Sequence, residues 1–135
     1  MSAETYTGRC ACGEIRFETT GLPTDASHCH CETCRRSSGA PFVTWVAYPA
    51  SRFRVTRGQI AERESSPEVM RGYCPDCGTP IIYHHRGRYP NDIDLTAACF
   101  DDQSIIEPRA HLWIEDKPDW VVIGDDLPQY AQWRA

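Results

Sequence analysis

Seven of the eight cysteines in this 135-residue sequence fall into three groups whose spacing suits a thiophilic metal: Cys10-Ala11-Cys12-Gly13, Cys29-His30-Cys31-Glu32-Thr33-Cys34 and Cys74-Pro75-Asp76-Cys77-Gly78. Zinc takes four thiolates tetrahedrally at about 2.3 Å in sites that fasten a fold, and keeps one position open in sites that do chemistry. The first and third groups each close on a glycine. Glycine permits a positive φ without a Cβ penalty, so the backbone can turn its amides toward the sulfurs. Two such knuckles predict one closed site of Cys10, Cys12, Cys74 and Cys77, which would tie the start of the chain to its middle.

The central group puts three cysteines in six positions. On an extended segment Cys29 and Cys31 point to the same side, and the following turn brings Cys34 back toward them. Three thiolates converge and a fourth tetrahedral position stays empty, as a catalytic zinc requires. Alternatively His28, His30 or Cys99 fills that position and the second metal is structural too. Against this, His30 lies between two ligands and should point to the opposite face, and His28 is no better placed. Cys99 ends an apolar run and reads as a small buried hydrophobe. A third reading makes Cys31 and Cys34 a redox dithiol, but the βαβ pattern that would support it is missing.

The elements that would carry these groups are short. β-rich or alternating runs occupy residues 14–20, 42–48, 52–55, 69–73, 81–85, 93–99 and 111–114. Ten prolines and nine glycines leave helix candidates only at the single turn 32–37 and the tail 127–133, with loops expected at 87–92 and 100–108. The expectation is a mainly β fold: a single compact domain over residues 1–135, of short antiparallel strands in packed sheets, stapled by the four-cysteine zinc knuckle site.

The formal charge is −5, and two zincs held by four and three thiolates would take it to about −8. That balance argues against nucleic acid as a partner. The amino terminus lacks the basic and apolar regions of a secretory leader, and no apolar run reaches the ~20 residues of a membrane span. A cytoplasmic location is expected, where reduced cysteines serve metals better than disulfides. Arg35 and Arg36, directly after Cys34, could hold a substrate carboxylate. Trp45, Trp113, Trp120 and Tyr83 read as core, His111 as a hydrogen-bonded strand residue, and His84-His85 as exposed with no assigned role.

The residues Cys10-x-Cys12-Gly13, His28-Cys29-x-Cys31-x-x-Cys34-Arg35-Arg36-x-Ser38-Gly39-Ala40-Pro41-Phe42 and Cys74-Pro75-x-Cys77-Gly78-Thr79-Pro80 resemble, in order and spacing, the glutathione-dependent formaldehyde-activating enzyme family. The likeness continues through Trp45, Phe53, Gly58, Asp92-Ile93-Asp94 and Pro108-x-x-His111-x-Trp113 to Trp120. It implies a β fold with two zincs per chain, in the same closed and open partition, and a carbon-sulfur lyase joining glutathione and formaldehyde into S-hydroxymethylglutathione. The expected activity is thus addition of a small thiol such as glutathione to a small aldehyde such as formaldehyde, with Cys29, Cys31 and Cys34 at the catalytic site. The competing reading is a noncatalytic zinc module that binds glutathione or a protein partner.

Overall fold

The computed structural model describes residues 4–134; the ends of the sequence read above, residues 1–3 and 135, lie outside them. The described residues form ten strands: β1 (Thr5–Arg9), β2 (Arg16–Thr20), β3 (Asp25–Cys29), β4 (Val43–Pro49), β5 (Phe53–Arg57), β6 (Ala61–Ser66), β7 (Val69–Tyr73), β8 (Pro80–His85), β9 (Asp92–Thr96) and β10 (His111–Leu112). One α-helix, α1 (Glu32–Ser38), joins them among the described residues. The strands form a three-stranded sheet in the order β1-β2-β5 and a seven-stranded sheet in the order β10-β3-β4-β9-β8-β7-β6. Pairing is antiparallel except at one edge, where β10 runs parallel to β3 with His111 opposite His28 and Leu112 opposite Cys29. No helix among the described residues is long and apolar enough to cross a membrane.

Alternation along β4 divides the interior in two. Val46 and Tyr48 turn toward the small sheet and pack with Phe17, Leu95 and Phe100. Val43 and Trp45 turn to the opposite face, with Cys29, Cys34, Val69 and Tyr83. Burying each large apolar side chain contributes about 1.5–3 kcal/mol, so the first cluster stabilises the fold while the second forms the floor of a site. Gly58 links β5 to β6 at φ 79°, where a Cβ would collide with the Glu14 carbonyl and come within 2.8 Å of Ile15 Cδ1. Gly58→Ala should cost about 1–2 kcal/mol for the left-handed backbone alone, plus the collision. In urea titrations it should lose more stability than Gly39→Ala, whose position is also left-handed but open.

Several local expectations are corrected. The run at 93–99 leaves the ladder after Thr96 and continues as a 3-10 turn, Ala97–Cys99. The run at 111–114 stops at Leu112 because Trp113 adopts φ 58°, ψ 39°. The tail at 127–133 is not helical. Pro128 has no N–H to give, and the tail's backbone pairs instead with the β10 segment, through His111 N to Pro128 O at 2.9 Å and Trp113 N to Gln132 O at 3.0 Å. Trp120, expected in the core, is 71% exposed.

Candidate metal centres and their cavity

The two glycine-closed knuckles meet. Gly13 and Gly78 take φ 80° and 81°, Ile15 N–H lies 3.3 Å from Cys10 Sγ and Cys77 N–H 3.5 Å from Cys74 Sγ. Cys10 and Cys12 sulfurs are 3.6 Å apart, and those of Cys12 and Cys74 3.8 Å. Tetrahedral zinc–thiolate geometry requires about 3.8 Å between sulfurs, so the set fits a zinc ion. Hydrogen bonds from Thr79, through both its hydroxyl and its backbone, hold the Cys77 thiol down to about 5.

Cys29 ends β3, and Cys31 caps α1, its sulfur accepting the Cys34 N–H at 3.3 Å. The helix then turns Cys34 back, and the three sulfurs lie within 4.8 Å of one another. Hydrogen bonds from Cys29 and Cys31, with the charge of Arg71 adding to them, hold the Cys34 thiol down to about 2. The neighbouring sulfurs and burial push the Cys29 thiol up. This donor set can also hold a soft divalent metal.

The three sulfurs line a cavity of 430 Å³ on the face of the large sheet turned away from the small one, a size suited to a small organic ligand. Its floor includes Trp45 and Ala47 of β4, Asp94 of β9, Tyr83 of β8 and Arg71 of β7, with Trp113 and Trp133 at the side. Tyr83 and Trp45 are therefore both core and cavity wall. Arg71, which sequence reasoning missed, is 7% exposed. Its Nη2 lies 3.6 Å from Cys34 Sγ, its Nε donates to Ser65 Oγ at 2.9 Å, and its guanidinium covers the Tyr83 ring. Arg35 and Arg36 do not line the cavity; Arg36 instead pairs with Glu32 in solvent.

Asp94, noted in the sequence only within the Asp92-Ile93-Asp94 likeness, is the second group whose role was not foreseen. Register sets it between Ala47 and Tyr83, and burial, then the Cys34 charge, Asp25 and Asp92, push its carboxyl up to about 7. The ordinary unfolded value is about 3.9. The folded chain therefore binds the extra proton between those values, and stability falls as pH rises through that window. Asp94→Asn should be more stable than the parent at pH 8 by about 1–4 kcal/mol, a gain that shrinks as pH is lowered through 7. Urea titrations at pH 8 and pH 6 measure it.

The histidines sort by face. His30 is fully buried on the side away from the sulfurs, its Nε2 2.9 Å from His111 Nδ1. His111 is buried and hydrogen-bonded on its strand, and His28 is half-buried beside it. His85 lines the cavity, while His84 lies 3.3 Å from the Pro90 carbonyl. Cys99 is buried in the core beside the small sheet, its sulfur 3.6 Å from the Pro80 carbonyl and outside both clusters.

Comparison with known proteins bears on what such an arrangement does. The sequence profile described as glutathione-dependent formaldehyde-activating enzyme matches residues 5–116. A Halomonas elongata protein provisionally named as a glutathione-dependent formaldehyde-activating enzyme is 28% identical over 127 residues, covering 86% of this chain and 79% of its own. An uncharacterized lyase of Schizosaccharomyces pombe is 30% identical over 116 residues, covering 84% and 82% respectively. A crystal structure of a Rhodobacter sphaeroides protein shares the fold, with a TM-score of 0.58 at 24% identity over 70% of this chain and 87% of that one.

Proposed function

The chain belongs to the glutathione-dependent formaldehyde-activating enzyme family, and from that membership we propose that it is a zinc-dependent carbon-sulfur lyase. It would join a glutathione-like thiol to a formaldehyde-like aldehyde, or cleave the adduct, in a single domain and in a reducing compartment such as the cytoplasm. The observation that carries this reading is positional. Cys29, Cys31 and Cys34 open onto the 430 Å³ cavity, whereas none of Cys10, Cys12, Cys74 and Cys77 lines it. The four-cysteine set would hold a structural zinc and the three-cysteine set a second one.

Bound at the three sulfurs, zinc would supply a fourth position at which an incoming thiol is held as its thiolate, the nucleophilic form. In the synthetic direction the sulfur attacks the aldehyde carbon and an S–C bond forms. The carbonyl π pair moves to oxygen, which takes up the proton that the thiol released; cleavage reverses each step. Three thiolates and a divalent ion would sum to −1 beside Arg71, and an incoming thiolate would take the sum to −2. The Arg71 guanidinium would hold that charge and leave the incoming sulfur reactive. Asp94, poised near neutrality, would take the thiol proton and return it to the alkoxide oxygen.

Exchange NMR of formaldehyde, glutathione and their adduct tests this reading. The zinc-loaded chain should accelerate the interconversion, and a rate equal to that in buffer would leave only a noncatalytic zinc module. Arg71→Ala should lower the acceleration about 10–100-fold, from the loss of a buried charge-assisted contact worth about 1.5–3 kcal/mol. Arg36→Ala should leave it within about twofold, because an exposed i,i+4 pair contributes little.

A further inference from the structure

We propose that His28, His111 and Asp125 form a third divalent-metal site, on the face of the large sheet opposite the cavity and independent of both cysteine clusters. One ring nitrogen of each histidine and one carboxylate oxygen lie within 4.8 Å of one another. The three residues come from separate parts of the chain. His28 lies on β3, between cavity-facing Ser27 and Cys29, and strand alternation turns it to the reverse side. His111 sits opposite it on β10, the two rings stacked with centroids 4.8 Å apart. Asp125 arrives with the segment that folds back along β10.

The surroundings are those of oriented ligands. Metal-bound histidines engage the other ring nitrogen with a neighbour that fixes ring direction. His28 Nδ1 lies 2.7 Å from Thr44 Oγ1, and His111 Nδ1 lies 2.9 Å from His30 Nε2. Both Nε2 atoms are thereby left for a common partner. His111 Nε2 is 3.0 Å from each oxygen of Asp125, so a positive species belongs between a ring nitrogen and a carboxylate. A proton there would make a plain Asp125–His111–His30 relay, in which His28 has no part. A metal uses all three groups. Two imidazoles and a carboxylate suit a borderline divalent ion such as zinc, with water completing the shell. His111 is buried, His28 half-buried and the Asp125 side chain 43% exposed, so an ion can enter from solvent.

Zinc titration of the reduced full chain, after its cysteine clusters have been saturated with zinc, tests the site. Calorimetry gives the stoichiometry and ¹⁵N NMR follows the histidine rings. The expected result is one further zinc per chain, with the Nε2 resonances of His28 and His111 shifting together while His84 and His85 stay in place. His28→Gln and Asp125→Asn should each weaken that binding by at least about tenfold. Absence of the further zinc, or of the paired ring shifts in the parent, overturns the proposal, as does undiminished binding in both variants. Should a variant fail to fold, the ring shifts of the parent decide alone. Because the histidine rings are the readout, the outcome stands apart from whether the cysteine clusters catalyse anything.

Discussion

Cys34→Ser should return the interconversion of formaldehyde, glutathione and their adduct to its rate in buffer, a loss of about a hundredfold or more if the open site supplies several kcal/mol of transition-state stabilisation. Cys34 is 2% exposed and seated on α1 between the other two sulfurs and the Arg71 guanidinium. Hydrogen bonds from Cys29 and Cys31 and the charge of Arg71 hold its thiol down. A serine there is a hard, neutral donor; it cannot complete a three-thiolate set, and it leaves Arg71 buried without its counter-charge. Zinc content should fall by one ion per chain while strand content is kept. Cys99→Ser, a buried cysteine outside both clusters, should leave turnover unchanged.

The second large effect is on stability. Cys77→Ser should cost about 5 kcal/mol or more, because structural zinc sites supply folding free energy of this order or greater. This cysteine isolates the metal from packing: its side chain is exposed, so an ordinary serine substitution there would change stability by only about 0.5 kcal/mol. Any larger loss must come through the four-sulfur site that ties Cys10 and Cys12 to Cys74 and Cys77 across positions 13–73. A strong chelator should produce the same loss of cooperative unfolding in the parent. Thermal and urea unfolding, with zinc counted in each sample, measure both.

The strands legible in the sequence were those with buried apolar side chains, such as β8, expected at 81–85 and observed at Pro80–His85 with Ile81 and Tyr83 buried. β6 was invisible because Ala-Glu-Arg-Glu-Ser-Ser has no apolar alternation. It is the outer strand of the large sheet, where charges protect an exposed edge from pairing with other chains. β3 was missed for a different reason: one face carries Ser27 and Cys29 toward the cavity and the other His28 beside β10, so polar chemistry replaces the pattern that marks a strand. The helix was recognisable as a single turn at 32–37, and the structure carries it on to Ser38, between Cys31 and Gly39.

The site was legible in the same uneven way. The two cysteine groupings follow from chain spacing, and the folded chain brings together the sets that spacing suggested. Arg71 has no local signature at all, and Asp94 stood out only within the Asp92-Ile93-Asp94 likeness, with no role attached to it. Each reaches the cavity because strand register sets it beside Tyr83, and register between remote strands cannot be read from one sequence. Arg35 and Arg36 illustrate the converse: adjacency to Cys34 along the chain suggested contact, but the helix carries Arg36 into solvent, where Glu32 pairs with it.

The most direct test of an open three-sulfur site that receives a thiol is spectroscopic. The chain is loaded with cobalt in place of zinc, and glutathione is added while the thiolate-to-metal absorption is followed. A saturable rise corresponding to one additional thiolate per chain, absent in Cys34→Ser, is the predicted result. A fully loaded protein whose spectrum does not change with thiol would contradict it.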